Sequence, residues 1–301
     1  MTGGPDVGGE AGPAAPAAGR RRAAVLGHPV THSLSPALHR AAYLSLGLDW
    51  TYEAVDCVPD DLPAALRRDD PQWAGWSLTM PLKEAVLPLL DAVDPLASLV
   101  RAVNTVVVDA GYLTGHNTDV PGLVEVVAEL GADGAPTATL LGGGATARSA
   151  LAALAGCSVG EVVAYVRRPE SGAELASLAT SLGVRLRPAA WSDAAAGLAA
   201  DLVVSTVPAG ATDSLAGWVA ASTRGLPGAL VDVVYDPWPT PLAAAWQHAG
   251  GTVAGGLELL VHQAVGQVRL MTGRAVAASV LRAAGQAELD ARGRPPGGPA
   301  G

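Results

Sequence analysis

The chain has 301 residues, half of them hydrophobic, which is enough for two domains of ordinary size with buried cores. Its formal net charge of −9 argues against a nucleic-acid partner, because phosphate backbones are held by clustered Lys and Arg. Every apolar run is broken by charge, Pro or Gly before the roughly 18 residues that a membrane span requires, and no membrane partner is expected.

Cys57 and Cys157 are the two cysteines. Neither has metal-ligand spacing or a disulfide framework around it, which predicts a reducing, cytoplasmic setting and no metal. Residues 1–20 and 291–301 are rich in Gly, Pro and Ala and are predicted to be disordered tails. The basic residues of the first segment come after its small residues, unlike a signal peptide.

Between the tails, short apolar runs alternate with longer helical stretches, the pattern of a two-domain α/β fold. Ala23–Gly27 is predicted as a strand. Ser35-Pro36 then opens a helix running to about Gly47, with Ser at the N-cap and Pro first inside. Strands follow at Trp50–Val55 and Gly75–Met80, and a hairpin at Val103–Asp109 and Tyr112–Thr114 turns around Ala110-Gly111. A second series begins with a helix from Asp119 to Leu130. Strands Thr137–Leu141, Glu161–Val166, Asp201–Ser205 and Ala229–Val233 follow at the spacing of βαβ units. Helices over about Leu257–Met271 and Ala275–Ala287 close the chain.

Two features of the second series point to a dinucleotide. Gly142-Gly143-Gly144-Ala145-Thr146-Ala147 follows a strand, opens a helix and fits G-x-G-x-x-A. Its glycines allow a tight turn and let backbone N–H groups approach a pyrophosphate at the helix N-terminus. The next strand ends at Arg167-Arg168, where a site for NAD would place an acidic residue against the ribose 2′-hydroxyl. Two guanidinium groups suit a 2′-phosphate, which predicts NADP.

Four segments upstream hold polar residues where a core pattern would not. These are the hydroxyl-rich loop Gly27–Pro36, the stretch Gly75–Glu84, Arg101–Thr105, and Gly115–Gly122. The second carries Lys83, the chain's only lysine, retained where Arg has otherwise replaced it. In an open α/β sheet, the carboxyl ends of strands are where ligands bind.

These segments, in this order, resemble the shikimate dehydrogenase family. The matching motifs are H-S-x-S-P (His32–Pro36), T-x-P-x-K (Thr79–Lys83), A-V-N-T (Ala102–Thr105), N-T-D-x-x-G (Asn117–Gly122) and the glycine loop. Asp232–Pro237 with Thr240-Pro241-Leu242 and the late G-x-x-x-L-x-x-Q (Gly256–Gln263) complete the series. The resemblance covers about residues 22–285. It implies an N-terminal α/β substrate domain of residues 21–118 and 256–290, and a Rossmann-type NADP-binding domain of residues 119–255. It implies reversible reduction of 3-dehydroshikimate to shikimate with NADPH, on the chorismate route to aromatic amino acids, by a monomer or homodimer.

By the same resemblance, Ser33, Ser35 and Tyr235 hold the substrate carboxylate. Thr79, Asn104 and Gln263 read its ring hydroxyls, while Lys83 and Asp119 form the proton-transferring pair. Gly142, Gly143, Gly144, Ala145, Arg167, Arg168, Thr206, Val233 and Gly256 are expected to bind the cofactor. The chain departs from the family pattern at Ser77 for Asn, Arg101 for Gly, Val166 for Asn and Leu259 for Met. A quinate/shikimate dehydrogenase of broader specificity, or a non-catalytic sensor on the same scaffold, is the alternative. Loss of the Lys or Asp would mark the sensor, and both residues are present.

Overall fold

The computed structural model describes residues 20–66, 69–221 and 228–293. The predicted tails therefore fall outside the described residues over 1–19 and 294–301.

The first sheet contains β1 (Arg21–Gly27), β2 (Trp50–Asp56), β3 (Trp73–Leu78), β4 (Ala92–Val93), β5 (Thr105–Asp109) and β6 (Tyr112–His116), in the order β2-β1-β3-β5-β6-β4. Strands β2, β1 and β3 run parallel, whereas β5 is antiparallel to both β3 and β6. The hairpin pairs Asp109 with Tyr112. Its two turn residues, Ala110 and Gly111, have φ of 48° and 83°, as the favoured two-residue hairpin turn demands.

The helices of this half are α1 (Ser35–Ser45), α2 (Leu62–Ala65), α3 (Leu82–Ala85) and α4 (Pro95–Val100), followed by α5 (Asp119–Glu129) leading into the second half. One sheet face packs on α1 and the two late helices, α10 (Gly256–Thr272) and α11 (Ala278–Arg292), through Val25, Leu38, Tyr43, Val261, Val268 and Leu281. The opposite face, with Leu26, Trp76 and Val106, is covered by Leu62, Leu82 and Ala97 from α2, α3 and α4.

The second sheet contains β7 (Thr137–Leu141), β8 (Glu161–Val166), β9 (Arg185–Ala190), β10 (Leu202–Ser205), β11 (Ala229–Asp232) and β12 (Thr252–Ala254). Its order is β12-β11-β10-β7-β8-β9, all parallel. Counted from its own first strand this is 3-2-1-4-5-6, the Rossmann order, with the switch point between β7 and β10. Its remaining helices are α6 (Ala145–Gly156), α7 (Pro169–Leu182), α8 (Asp213–Ala221) and α9 (Pro241–His248). The chain then returns to the first sheet as α10 (Gly256–Thr272) and α11 (Ala278–Arg292). Among the described residues, no helix is long and apolar enough to cross a membrane.

Two local expectations change. Leu34, not Ser35, occupies the cap of α1, and no side chain caps that helix. The Ser33 hydroxyl instead accepts the Ser35 N–H at 3.2 Å, leaving the Ser35 hydroxyl free of a capping role. Helix α11 also runs past the predicted boundary at 290. Arg292 pairs with Glu288 at 3.1 Å and donates to the carbonyl of His32 at 2.8 Å, so the last turn of α11 is tied to the Ser33 loop.

The two halves are joined by more than covalent connections. Arg148, one turn into α6, is only 6% exposed. It donates to the carbonyls of Val100 at 2.8 Å and Arg101 at 3.2 Å and pairs with Glu84 at 2.8 Å. Arg148→Met removes a charged donor and leaves two carbonyls without it. It is expected to lower unfolding free energy by about 2–4 kcal/mol, read by urea denaturation. A loss within about 0.5 kcal/mol would contradict this account.

Candidate active site

The carboxyl edges of the two sheets face each other. From the first sheet, Ser33 and Ser35 follow β1, and Thr79 and Lys83 follow β3. Because β5 is antiparallel to β3, its first residues lie on this same edge: the Leu78 N–H donates to the Asn104 carbonyl at 2.8 Å. Asp119 follows β6 as the first residue of α5. Ser33, Ser35, Thr79, Lys83, Asp119, Tyr235 and Gln263 all line one cleft of about 280 Å³, together with Val233 and Gly256. Thr146 of α6 lines it too, so both halves contribute.

At the centre, Lys83 Nζ donates to Asp119 Oδ2 at 2.6 Å, with side-chain exposures of 15% and 6%. Removing two charges from water is unfavourable unless their remaining valences are met. Asn104 Nδ2 supplies one of them, donating to Asp119 Oδ1 at 2.8 Å. Asp119 could have been only a helix cap, but its carboxylate is engaged by Lys83 and Asn104. Asn117 takes the capping part, accepting the Val120 N–H at 3.0 Å.

Asn104 is itself fully buried but does not line the cleft; it reaches Gln263 Oε1 at 3.3 Å. Tyr235 is half-buried, its hydroxyl 3.4 Å from the His32 carbonyl, and burial pushes its phenol pKa up.

The residues expected at a cofactor stand along the carboxyl edge of the second sheet. Gly142–Gly144 follow β7, Arg167 and Arg168 follow β8, Thr206 follows β10 and Val233 follows β11. Gly142 has φ +117°, and a Cβ there would lie 2.5 Å from Thr206 Oγ1. A Cβ at Gly143 would meet Ser171 at 2.7 Å, while at Gly144 nothing stands within 4 Å. Gly144 caps α6 with no side-chain bond to the helix. The first N–H groups of α6, from Ala145 onward, therefore lack intrahelical partners and form an open donor set. Gly256 is required by close approach, since a Cβ would lie 2.1 Å from the Val233 carbonyl oxygen. Arg167 and Arg168 are both exposed.

Sequence reasoning missed several residues here. Gln267 lines the cleft and donates to Gln263 Oε1 at 2.6 Å. The only sequence signal was its position four residues after Gln263 on one helix. His39 reads in the sequence as a packing or solvent residue. It is fully buried, with its ring 3.9 Å from that of Tyr52 in a stack, and Nε2 is 3.0 Å from Gln267 Oε1. Tyr52 in turn meets the hydroxyls of Ser77 and Ser35 beneath the cleft.

A two-lobed α/β protein, with a Rossmann-type second sheet and a buried lysine–aspartate pair facing its cleft, is the class that fold and site define. Residues 25–106 match the family model for the shikimate dehydrogenase substrate binding domain. The chain is 38% identical to the shikimate dehydrogenase (NADP(+)) of Moorella thermoacetica over 291 residues, 92% of this chain and 95% of the relative. The solved shikimate dehydrogenase of Mycobacterium tuberculosis superposes with a TM-score of 0.79 at 39% identity, covering 89% of this chain and 99% of that one. The Thermus thermophilus enzyme in complex with NADP(H) and shikimate gives 0.75 at 36% identity, with 89% and 99% covered. The chain belongs to the shikimate dehydrogenase family.

Burial lowers the His39 pKa to about 4 from 6.5. Above pH 6.5 the ring is neutral folded or unfolded, and its contribution to stability is fully present. As pH falls from 6.5 towards 4, only the unfolded chain takes up the proton, so stability is lost across that window. The loss should total about 3 kcal/mol. In His39→Phe this part of the acid destabilisation should disappear. Parallel stability–pH curves for the two proteins would contradict a neutral buried ring.

Proposed function

We propose that this protein is an NADP-dependent shikimate dehydrogenase, catalysing the reversible reduction of 3-dehydroshikimate to shikimate. The observation that carries this reading is the Lys83–Asp119 pair at 2.6 Å, held in a cleft lined by both halves of the chain. The Thermus thermophilus relative in complex with NADP(H) and shikimate supports the pairing of substrate and cofactor. Residues 21–118 with 256–290 form the substrate domain on this reading, and residues 119–255 the cofactor domain.

The glycine loop fits a dinucleotide. A turn closed so tightly that Gly142 and Gly143 have no room for a Cβ, before the open N-terminus of α6, suits a pyrophosphate. Gly142, Gly143, Gly144 and Ala145 would hold it, Arg167 and Arg168 the 2′-phosphate, and Thr206, Val233 and Gly256 the nicotinamide end. The cofactor, when bound, supplies or accepts hydride at the ring carbon that bears the reacting oxygen.

The chain's own residues do the rest. Ser33 and Ser35 donate hydroxyl hydrogens to the substrate carboxylate, assisted by Tyr235, and Thr79 and Gln263 bind ring hydroxyls; Asn104, expected to join them, stands behind the cleft and holds Asp119 and Gln263 instead. Negative charge develops on the carbonyl oxygen during reduction. The Lys83 ammonium stabilises that charge and gives its proton to the oxygen; in oxidation the proton returns to Nζ. Asp119 holds Nζ in place and accepts from a neighbouring substrate hydroxyl.

Absorbance at the nicotinamide band with shikimate and NADP tests the activity. Lys83→Ala should lower kcat by about 10²–10⁴-fold with little change in shikimate binding, and Asp119→Asn should act in the same direction. Near-normal kcat in Lys83→Ala would rule out this mechanism.

Cofactor choice is a separate expectation. Each charge-assisted contact to the 2′-phosphate is worth about 1.5–3 kcal/mol. Replacing Arg167 and Arg168 together by Ala should therefore raise KM for NADP and leave KM for NAD nearly flat. Raised salt should weaken NADP more than NAD in the wild type. Equal kcat/KM for the two cofactors at low salt would sink the arginine assignment without touching the shikimate one.

A further inference from the structure

Gln263 lines the cleft with a primary amide, and an amide can turn either its oxygen or its NH2 group to a ligand. Three backbone groups settle the choice. Gln267 places one amide atom 2.6 Å from Gln263 and 3.4 Å from the Asn104 carbonyl. A carbonyl only accepts, so that atom is Nε2, and Gln267 Oε1 faces His39. Gln263 must answer with its oxygen, which places its own Nε2 3.1 Å from the Leu260 carbonyl. The Thr118 N–H, which only donates, lies 2.8 Å from Asn104 Oδ1 and so aims Asn104 Nδ2 at Asp119 and at Gln263 Oε1.

The chain of bonds ends on His39. Gln267 Oε1, 3.0 Å from His39 Nε2, needs a donor. The buried ring is neutral and has one N–H. That proton therefore sits on Nε2, while Nδ1 accepts from the Tyr43 hydroxyl at 3.4 Å. A turned Gln263 would set NH2 against NH2 at Gln267 and oxygen against oxygen at Leu260.

We infer that His39 and Gln267 are positioning residues that lock Gln263 so that it offers an N–H, not a carbonyl oxygen, to the substrate. One N–H of Gln263 is taken by Leu260, and the second is left for a ring oxygen of the bound polyol. The cleft then presents donors at Lys83 and Gln263 and an acceptor at Asp119, a polarity matched to a ring whose adjacent oxygens must both accept and donate. Neither His39 nor Gln267 transfers a proton; both act through Gln263.

This proposal rests on the cleft being the shikimate site, and the test separates the two. Gln267→Leu, Gln267→Glu and His39→Phe are made in the wild type and in a Gln263→Ala background, and each protein is melted. His39→Phe keeps a ring against Tyr52 while deleting the donor. Loss of one neutral hydrogen bond should raise KM for shikimate about three- to tenfold, with KM for NADP and kcat changed less than about twofold. In the Gln263→Ala background the same changes should add nothing, because the residue they act through is gone. Gln267→Glu should be at least as harmful as Gln267→Leu, since a carboxylate has no hydrogen for Gln263 or for the Asn104 carbonyl. A Gln267→Leu protein without a cooperative melt is replaced by Gln267→Met.

Unchanged KM for shikimate, an equal rise in both KM values, or a full additional rise on Gln263→Ala would each overturn the proposal. Wild-type protein that does not turn over shikimate overturns the activity itself, and this proposal with it. Wild-type turnover with indifferent variants overturns this proposal alone.

Discussion

A buried carboxylate must be given partners by the fold, and Asp119 is that carboxylate. One oxygen takes the Lys83 ammonium and the other the Asn104 amide. Asn104 can serve only because its own oxygen is turned away by the Thr118 N–H and the Thr105 hydroxyl at 2.9 Å. The first turn of α5, the start of β5 and the turn carrying Lys83 are thereby held to one geometry. Backbone bonds reinforce it: the Val103 N–H donates to the Lys83 carbonyl at 2.8 Å. Lys83 gains a fixed position from this frame, because its four-carbon stem has little rigidity of its own.

Helix α10 completes the site from the other side, and glycine is what brings it close. A Cβ on Gly122 of α5 would stand 3.0 Å from the Gln263 backbone nitrogen, and one on Gly266 of α10 would stand 3.1 Å from the Thr118 side chain. With these two positions bare, α5 and α10 pack closely enough for Gln263 to reach Asn104. The glycine of N-T-D-x-x-G thus acts at a distance from the chemistry. It sets how near the amide of one helix can come to the carboxylate of the other.

The residues that meet in the cleft were legible because their types are few and their surroundings in the chain are distinctive. A lone lysine after a strand, an aspartate opening a helix and a glycine loop between strand and helix each carry their own signal. The Rossmann half was legible down to its central strands, where buried runs such as Leu202–Ser205 have no competing pattern. Strands β4 and β12, with two and three residues, are too short to show a period. In β9, Arg185, Arg187 and Pro188 interrupt the apolar residues, as befits an edge strand but hides it in sequence. His39 and Gln267 were illegible for another reason. They are 228 residues apart, and their meaning exists only once α1 and α10 lie together. The Ser35 cap failed because the helix begins one residue earlier than its Ser-Pro signal suggests, with Leu34 at the cap and Ser35 already inside.

Arg148 shows how the first half is registered against the second. Two of its bonds end on backbone carbonyls at the C-terminus of α4, so the residue types at 100 and 101 are freed from that task, but the backbone there is not. Arg101 has φ 49° and ψ 43°, a left-handed conformation that favours glycine, and this is where the family pattern has glycine. A side chain at that position is strained, yet the turn persists because it ends α4 and directs the Arg101 carbonyl to Arg148. The third bond of Arg148 goes to Glu84, the residue after Lys83. The helix that follows the glycine loop is thereby fastened to the turn that carries the lysine. The placement of the glycine loop relative to Lys83 is accordingly a property of this joint as well as of the cleft.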